Sequence, residues 1–138
     1  MFDQCLYFNT TSLARQLERE WTLAFKPYGL TPSQAFMLRV ILAKAPIAYT
    51  SLAAELNITK ATCSRTVEGL CKLNMVKRVQ ADTDARSFEL VPTTPARSIH
   101  EQINQSSATV TRKIEKIIGE QQFASVVSTL RSISDSIT

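Results

Sequence analysis

The sequence predicts a mainly α fold with a small β-wing, on three observations. Residues 49–92 read in order as a short helix, a tight turn, a second helix and two short strands joined by a charged loop. That order is a helix-turn-helix followed by a wing. Apolar residues recur at helical spacing at both ends of the chain, and two Thr-Pro pairs mark helix starts.

The first helix is expected over residues 3–27. Leu6, Leu13, Leu17, Trp21, Ala24 and Tyr28 recur every three to four residues, and Pro27 and Gly29 stop it. Thr31-Pro32-Ser33-Gln34 opens the second helix. Thr takes the N-cap, Pro the first helical position and Gln the third, the arrangement of a capping box. That helix carries Phe36, Met37, Val40 and Ile41 to about Ala45-Pro46. The motif helices follow over residues 50–56 and 59–73, around the turn Asn57-Ile58. Val67, Leu70 and Leu73 are expected to hold the rear of the second one to the core. The wing strands fall within residues 75–91. Thr94-Pro95 then caps and opens a long helix with Ile99, Ile103, Val110, Ile114 and Ile117 on one face, broken by Gly119. The last helix presents Phe123, Val126, Val127, Leu130, Ile133 and Ile137.

Length turns these elements into an architecture. The long end helices would each extend about 35 Å, whereas a compact monomer of this size has a radius of gyration of about 14 Å. Burying their stripes against a second copy is the economical solution. A homodimer is therefore expected, with residues 1–30 and 94–138 as the dimerisation layer and residues 31–93 as the winged helix-turn-helix region of one domain. The competing arrangement packs both stripes onto their own chain.

The composition is that of an ordinary globular chain: 44% apolar, 20% charged, net charge +4. No run of about eighteen apolar residues occurs, so no transmembrane helix is expected. Asp3 stands where a secretory signal would be basic, and a cytoplasmic location is expected. Residues 50–97 hold seven basic and five acidic side chains, and residues 98–138 hold four of each. The middle segment thus suits a polyanion better than the end does. Cys5, Cys63 and Cys71 form an odd set, which argues against a disulfide framework. Cys63 and Cys71 are expected about 12 Å apart along one helix, too far to bond, and both read as packing residues. A single histidine and scattered cysteines supply no metal site, and no cofactor is expected.

The start of the second motif helix carries the chemistry. Thr59-Lys60-Ala61-Thr62-Cys63-Ser64-Arg65 puts small polar and basic side chains at its leading end, as a helix entering a major groove requires. Thr59 is the candidate N-cap, and Lys60, Thr62, Ser64 and Arg65 fall on the outward surface. Arg65, with two parallel donors, is the candidate for a bidentate contact. Thr50 and Ser51 begin the preceding helix, which crosses the DNA backbone in such motifs. In the wing, Lys77 and Arg78 lead into the first strand and Arg86 follows the loop. An Arg near a hairpin tip can enter a narrow minor groove. A carboxylate of Asp82 or Asp84 is expected to hold Arg86 extended.

These residues bring a resemblance into view. Residues 35–91 resemble a MarR-family transcriptional regulator. It is carried by Gly29-Leu30-Thr31-Pro32-Ser33-Gln34, by Leu52-Ala53-Ala54-Glu55-Leu56, by the segment from Ile58 to Arg65, by Met75-Val76-Lys77-Arg78, by Asp82-Thr83-Asp84-Ala85-Arg86-Ser87 and by Leu90-Val91-Pro92-Thr93. Asp84-Ala85-Arg86 is the most specific element, and the flanking helices match the family's dimerisation layer. The resemblance implies a homodimer on pseudo-palindromic double-stranded operators, with recognition helices in major grooves and wings over minor grooves. Release by a small effector or by oxidation is implied too. The wing exit departs from the family, with Val91-Pro92-Thr93 and Arg97 where Leu-Thr and a later Gly are usual.

Two switch sites are candidates. Cys5 lies near the first helix start beside Tyr7 and Phe8, which resembles the family's peroxide-sensing branch, although its spacing to Gly29 fits only loosely. A small buried hydrophobe is the plain alternative. A ligand pocket between the dimer layer and the wing region would be lined by Trp21, Phe25, Phe36 and His100. The leading function is DNA-binding regulation without catalysis. The alternative is a winged-helix interaction module that has lost DNA binding. An enzyme is disfavoured, since no nucleophile-base pair and no Gly-rich phosphate loop is present.

Overall fold

The computed structural model describes residues 1–84 and 86–138; Ala85, within the wing motif, lies outside the described residues. Seven α-helices and three strands follow one another among them: α1 (Leu6–Phe25), α2 (Pro32–Lys44), β1 (Ile47–Ala48), α3 (Tyr49–Leu56), α4 (Lys60–Lys72), β2 (Val76–Gln80), β3 (Phe88–Pro92), α5 (Thr94–Ser98), α6 (His100–Ile118) and α7 (Glu120–Ile137). The mainly α winged fold is as the sequence predicts.

Local chemistry sets most boundaries. Thr31 and Gln34 form the capping box, with Gln34 N–H donating to Thr31 Oγ1 (3.2 Å) and Thr31 N–H donating to Gln34 Oε1 (3.0 Å). α1 ends two residues early because Pro27 enters a 3-10 turn over Lys26–Tyr28, closed by Gly29 at φ 67°. Asn57 takes the left-handed conformation (φ 54°) that reverses the chain between α3 and α4. After β3 the cap is Thr93, not Thr94: Thr93 Oγ1 accepts from Ala96 N–H and donates to the Asn74 carbonyl. The expected single long helix is split at Ile99 into α5 and α6.

The sheet is antiparallel with order β1-β3-β2, so the two-residue β1 adds a third strand to the expected hairpin. Ile47 pairs with Leu90, and Arg78 faces the same Leu90 from the other side. Phe25, Met37, Leu38, Ile41, Leu52, Val67, Leu70, Leu90 and Ile103 form a fully buried core between α2, α4, the sheet and α6. Leu73 does not join it: at the end of α4 it is 43% exposed, and Cys63, one helical turn before Val67, takes the third core position instead. Burial raises the Cys63 thiol above its ordinary value, which keeps it neutral and inert.

The helical layer meets this core through a polar joint. Arg39 of α2 donates from Nε to Asn104 Oδ1 (2.7 Å) and from Nη1 to Ser107 Oγ (3.1 Å), both on α6. Trp21 Nε1 of α1 donates to the same Ser107 Oγ (3.0 Å). The Arg39 guanidinium also stands 4.9 Å from the Phe36 ring centroid. Partial burial lowers the Arg39 pKa, yet its partners are neutral.

The end helices keep much of their apolar surface outside. No residue of α7 is buried. Val127 and Leu130 are 44% and 45% exposed, and Leu6, Leu13 and Ile117 are exposed as well. Ile117 thus leaves the inward face of α6 that Ile103 and Val110 keep.

Candidate nucleic-acid interface

The helix-turn-helix presents one polar and basic surface. Thr59 caps α4, its Oγ1 accepting from Thr62 N–H (3.2 Å). Cys63 and Val67 point into the core, so Lys60, Ser64 and Arg65 are left exposed and Thr62 half-buried. Arg65 Nη2 donates to Thr62 Oγ1 (3.2 Å), which lays the guanidinium along the first turn. Thr50 and Ser51 are exposed in the first turn of α3. No side-chain oxygen caps that helix, because Ala48 holds the position. Its leading amides therefore lack a side-chain partner, as suits a helix end that meets a phosphate.

The wing extends this surface. Lys77 and Arg78 lie within β2 rather than before it, and both are exposed. Arg78 and Phe88 flank a groove against Ser64 and Glu68 of α4. At the loop, Ala81 N–H donates to the Ser87 carbonyl and Ser87 N–H to the Asp84 carbonyl, each at 3.0 Å. The Asp84 carboxylate accepts from Arg86 N–H (3.0 Å) and from Ser87 Oγ (3.2 Å). This corrects the expected role of the acid: Asp84 fixes the turn backbone instead of extending the Arg86 side chain, because an Asx side chain reaches an amide two residues on at low cost. Among the described residues, Lys60, Arg65, Lys77, Arg78 and Arg86 make no ion pair. Exposed cations without acidic partners are what a phosphate backbone selects.

The pocket residues divide. Trp21 and Phe36 line a cavity of about 480 Å³ between α1, α2 and the start of α4. Phe25 does not: it is fully buried and meets Phe36 edge to face, centroids 6.0 Å apart. His100 does not either, since the break at Ile99 places it in a polar cleft with Tyr28, Arg97 and Asn104. Helical periodicity puts Phe25 on the Trp21 side of α1 but carries no depth, and the α5–α6 break has no Gly or Pro to announce it. Arg39 and Ser107 escaped sequence reasoning because their partners lie 65 or more residues away. Cys5 is half-buried at the N-cap of α1, its Sγ accepting from Phe8 N–H at 3.5 Å. Tyr7 and Phe8 beside it are exposed, and the Phe8 ring meets that of Phe2 at a tilt of 42°, centroids 5.4 Å apart. Among the described residues, no cluster of metal-ligating side chains occurs and no helix is long and apolar enough to cross a membrane.

The MarR family model matches residues 28–87, from the end of α1 through the wing loop. No curated protein matches the chain in sequence. Among solved structures, the transcriptional repressor CouR bound to a 23-mer DNA duplex superposes with TM-score 0.88 at 19% identity, covering 96% of this chain and 94% of that one. A MarR protein from Peptoclostridium difficile gives 0.86 at 21%, covering 98% and 88%. The M. tuberculosis regulator MosR in complex with DNA gives 0.82 at 22%, covering 97% and 98%.

Proposed function

We propose that this protein, whose residues 28–87 match the MarR family model and whose fold is that of solved MarR-type regulators, is a DNA-binding transcriptional regulator acting as a homodimer on pseudo-palindromic operators. The observation that carries the reading is the unpaired cationic surface of α4 and the wing, with Arg65 and Arg86 at its two ends. α4 enters a major groove with Lys60, Thr62, Ser64 and Arg65. Thr50, Ser51 and Thr59 meet phosphates, and Lys77, Arg78 and Arg86 reach the adjacent minor groove. The exposed stripe of α7, with the free N-terminal half of α1, supports a second copy as the partner that fixes the distance between two recognition helices. Release is by a small molecule in the cavity beside Trp21 and Phe36, with the half-buried Cys5 as the candidate for an oxidative route.

The test begins with operator DNA selected from a random pool by the purified chain. Affinity should fall with salt by about 0.9 log units per log unit for each phosphate neutralised. Arg65→Ala should cost about 1–3 kcal/mol and relax discrimination at particular base pairs, whereas Arg86→Ala should weaken all sequences more evenly. Wild-type affinity in both variants, or binding indifferent to salt, would favour the interaction module instead. For Cys5, organic hydroperoxide should release operator from the wild type and not from Cys5→Ser. Equal release from both removes Cys5 from the mechanism.

A further inference from the structure

α4 carries a single acidic side chain, Glu68, in a helix whose other charged residues are basic. With Cys63, Val67 and Leu70 buried, the opposite face holds Ser64, Arg65 and, one turn on, Glu68, all exposed. Glu68 therefore shares the face that Ser64 and Arg65 would turn toward a major groove. It lies about 6 Å beyond Ser64 along the helix axis, which is about two base steps of a duplex. Glu68 also lines the groove between α4 and the wing, with Arg78 and Phe88. When α4 occupies a major groove and the wing the adjacent minor groove, the strand that divides the two passes between these walls. Nothing within the protein holds the carboxylate firmly. Lys72 Nζ stands 3.6 Å from Glu68 Oε1, with both side chains largely in water, and exposed pairs of this kind are weak.

We propose that Glu68 reads a cytosine in each half-site, an inference that rests on the regulator reading. A carboxylate accepts hydrogen bonds and donates none. The phosphate and sugar oxygens of DNA are acceptors as well, so the backbone offers Glu68 only repulsion. In the major groove the donors are the N6 amine of adenine and the N4 amine of cytosine. Adenine sets its N7 acceptor beside the amine, and guanine and thymine present carbonyl oxygens. Cytosine is the base whose major-groove edge has a donor and no acceptor. Docking strips water from the carboxylate, so a wrong base loses the bond and leaves one acceptor facing another.

Duplexes are selected from a random pool by the purified full chain, by Glu68→Gln and by Glu68→Ala, each variant checked for the helical circular dichroism of the wild type. Single-pair changes in the selected operator are then titrated. The wild type should select C·G at one position of each half-site, and any other pair there should weaken binding about tenfold. Glu68→Gln should move the choice at that position to A·T, because an amide accepts from adenine N6 and donates to N7. Glu68→Ala should bind all four pairs there within about twofold, with the other positions read as before. A helix-stabilising pair with Lys72 would move the melting temperature and no base preference. Wild-type preferences in both variants would therefore overturn the proposal. So would an even gain of affinity across all sequences, the mark of plain repulsion, or the loss in Glu68→Ala of a preference for a base other than cytosine. A wild type that prefers no duplex would sink the regulator reading and this one together, whereas a selected operator indifferent to Glu68 would sink this one alone.

Discussion

Val127→Asp combined with Leu130→Asp is expected to yield a folded monomer that has lost operator binding. Both side chains stand nearly half exposed on α7, a helix that buries none of its residues against its own chain. Two carboxylates there cost the isolated fold little, but each would have to be desolvated in an apolar interface between copies. Sedimentation should give one chain per particle at micromolar concentration, with the helical circular dichroism retained. Operator affinity should fall about a hundredfold or more, because the second half-site no longer binds as an intramolecular event. A double variant that stays dimeric and binds normally would show that α7 is not the interface.

Leu70→Ala is the second large effect, and it concerns the folding of the reading head. Leu70 is fully buried where α4 packs on α2 and β2. Truncating a buried Leu costs about 2–5 kcal/mol, the transfer of the lost methyl groups plus the cavity left behind. Against a total stability of about 5–15 kcal/mol that is a major share, so the melting temperature should drop by roughly 10 °C or more. Protein concentration must be held fixed, since an assembling chain melts in a concentration-dependent way. Leu73→Ala is the control. At 43% exposure it should cost less than about 1 kcal/mol. Equal destabilisation by the two would mean that Leu73 belongs to the core after all.

That pair of leucines shows what the sequence could and could not convey. Periodicity identified α4 and its buried face, because a helix repeats its environment every three to four residues. It could not show that the face shifts at the last turn, where Asn74 adopts φ 58° and turns the chain toward β2. The capping box at Thr31 was legible since both its partners sit within four residues. At the wing exit two threonines precede Pro95, and only a tertiary bond, from Thr93 to the Asn74 carbonyl, selects the first as the cap. The two-residue β1 exists by pairing with β3 and has no pattern of its own. The exposed polar and basic residues at the start of α4 were readable as a contiguous run. The cavity was readable only in part, for its walls come from α1, α2 and α4 and its depth from their packing.

The Arg39 joint has a consequence for how this protein meets changes in its surroundings. Its bonds run to Asn104, to Ser107 and to an aromatic face, and among the described residues no carboxylate answers the charge. Nothing opposite Arg39 gains or loses a proton near neutrality, and dissolved ions screen a neutral acceptor far less than an acid. Ionic strength should therefore act on the grip of the protein on its duplex while the mutual angle of the two layers stays put. Added salt would loosen the hand without bending the wrist.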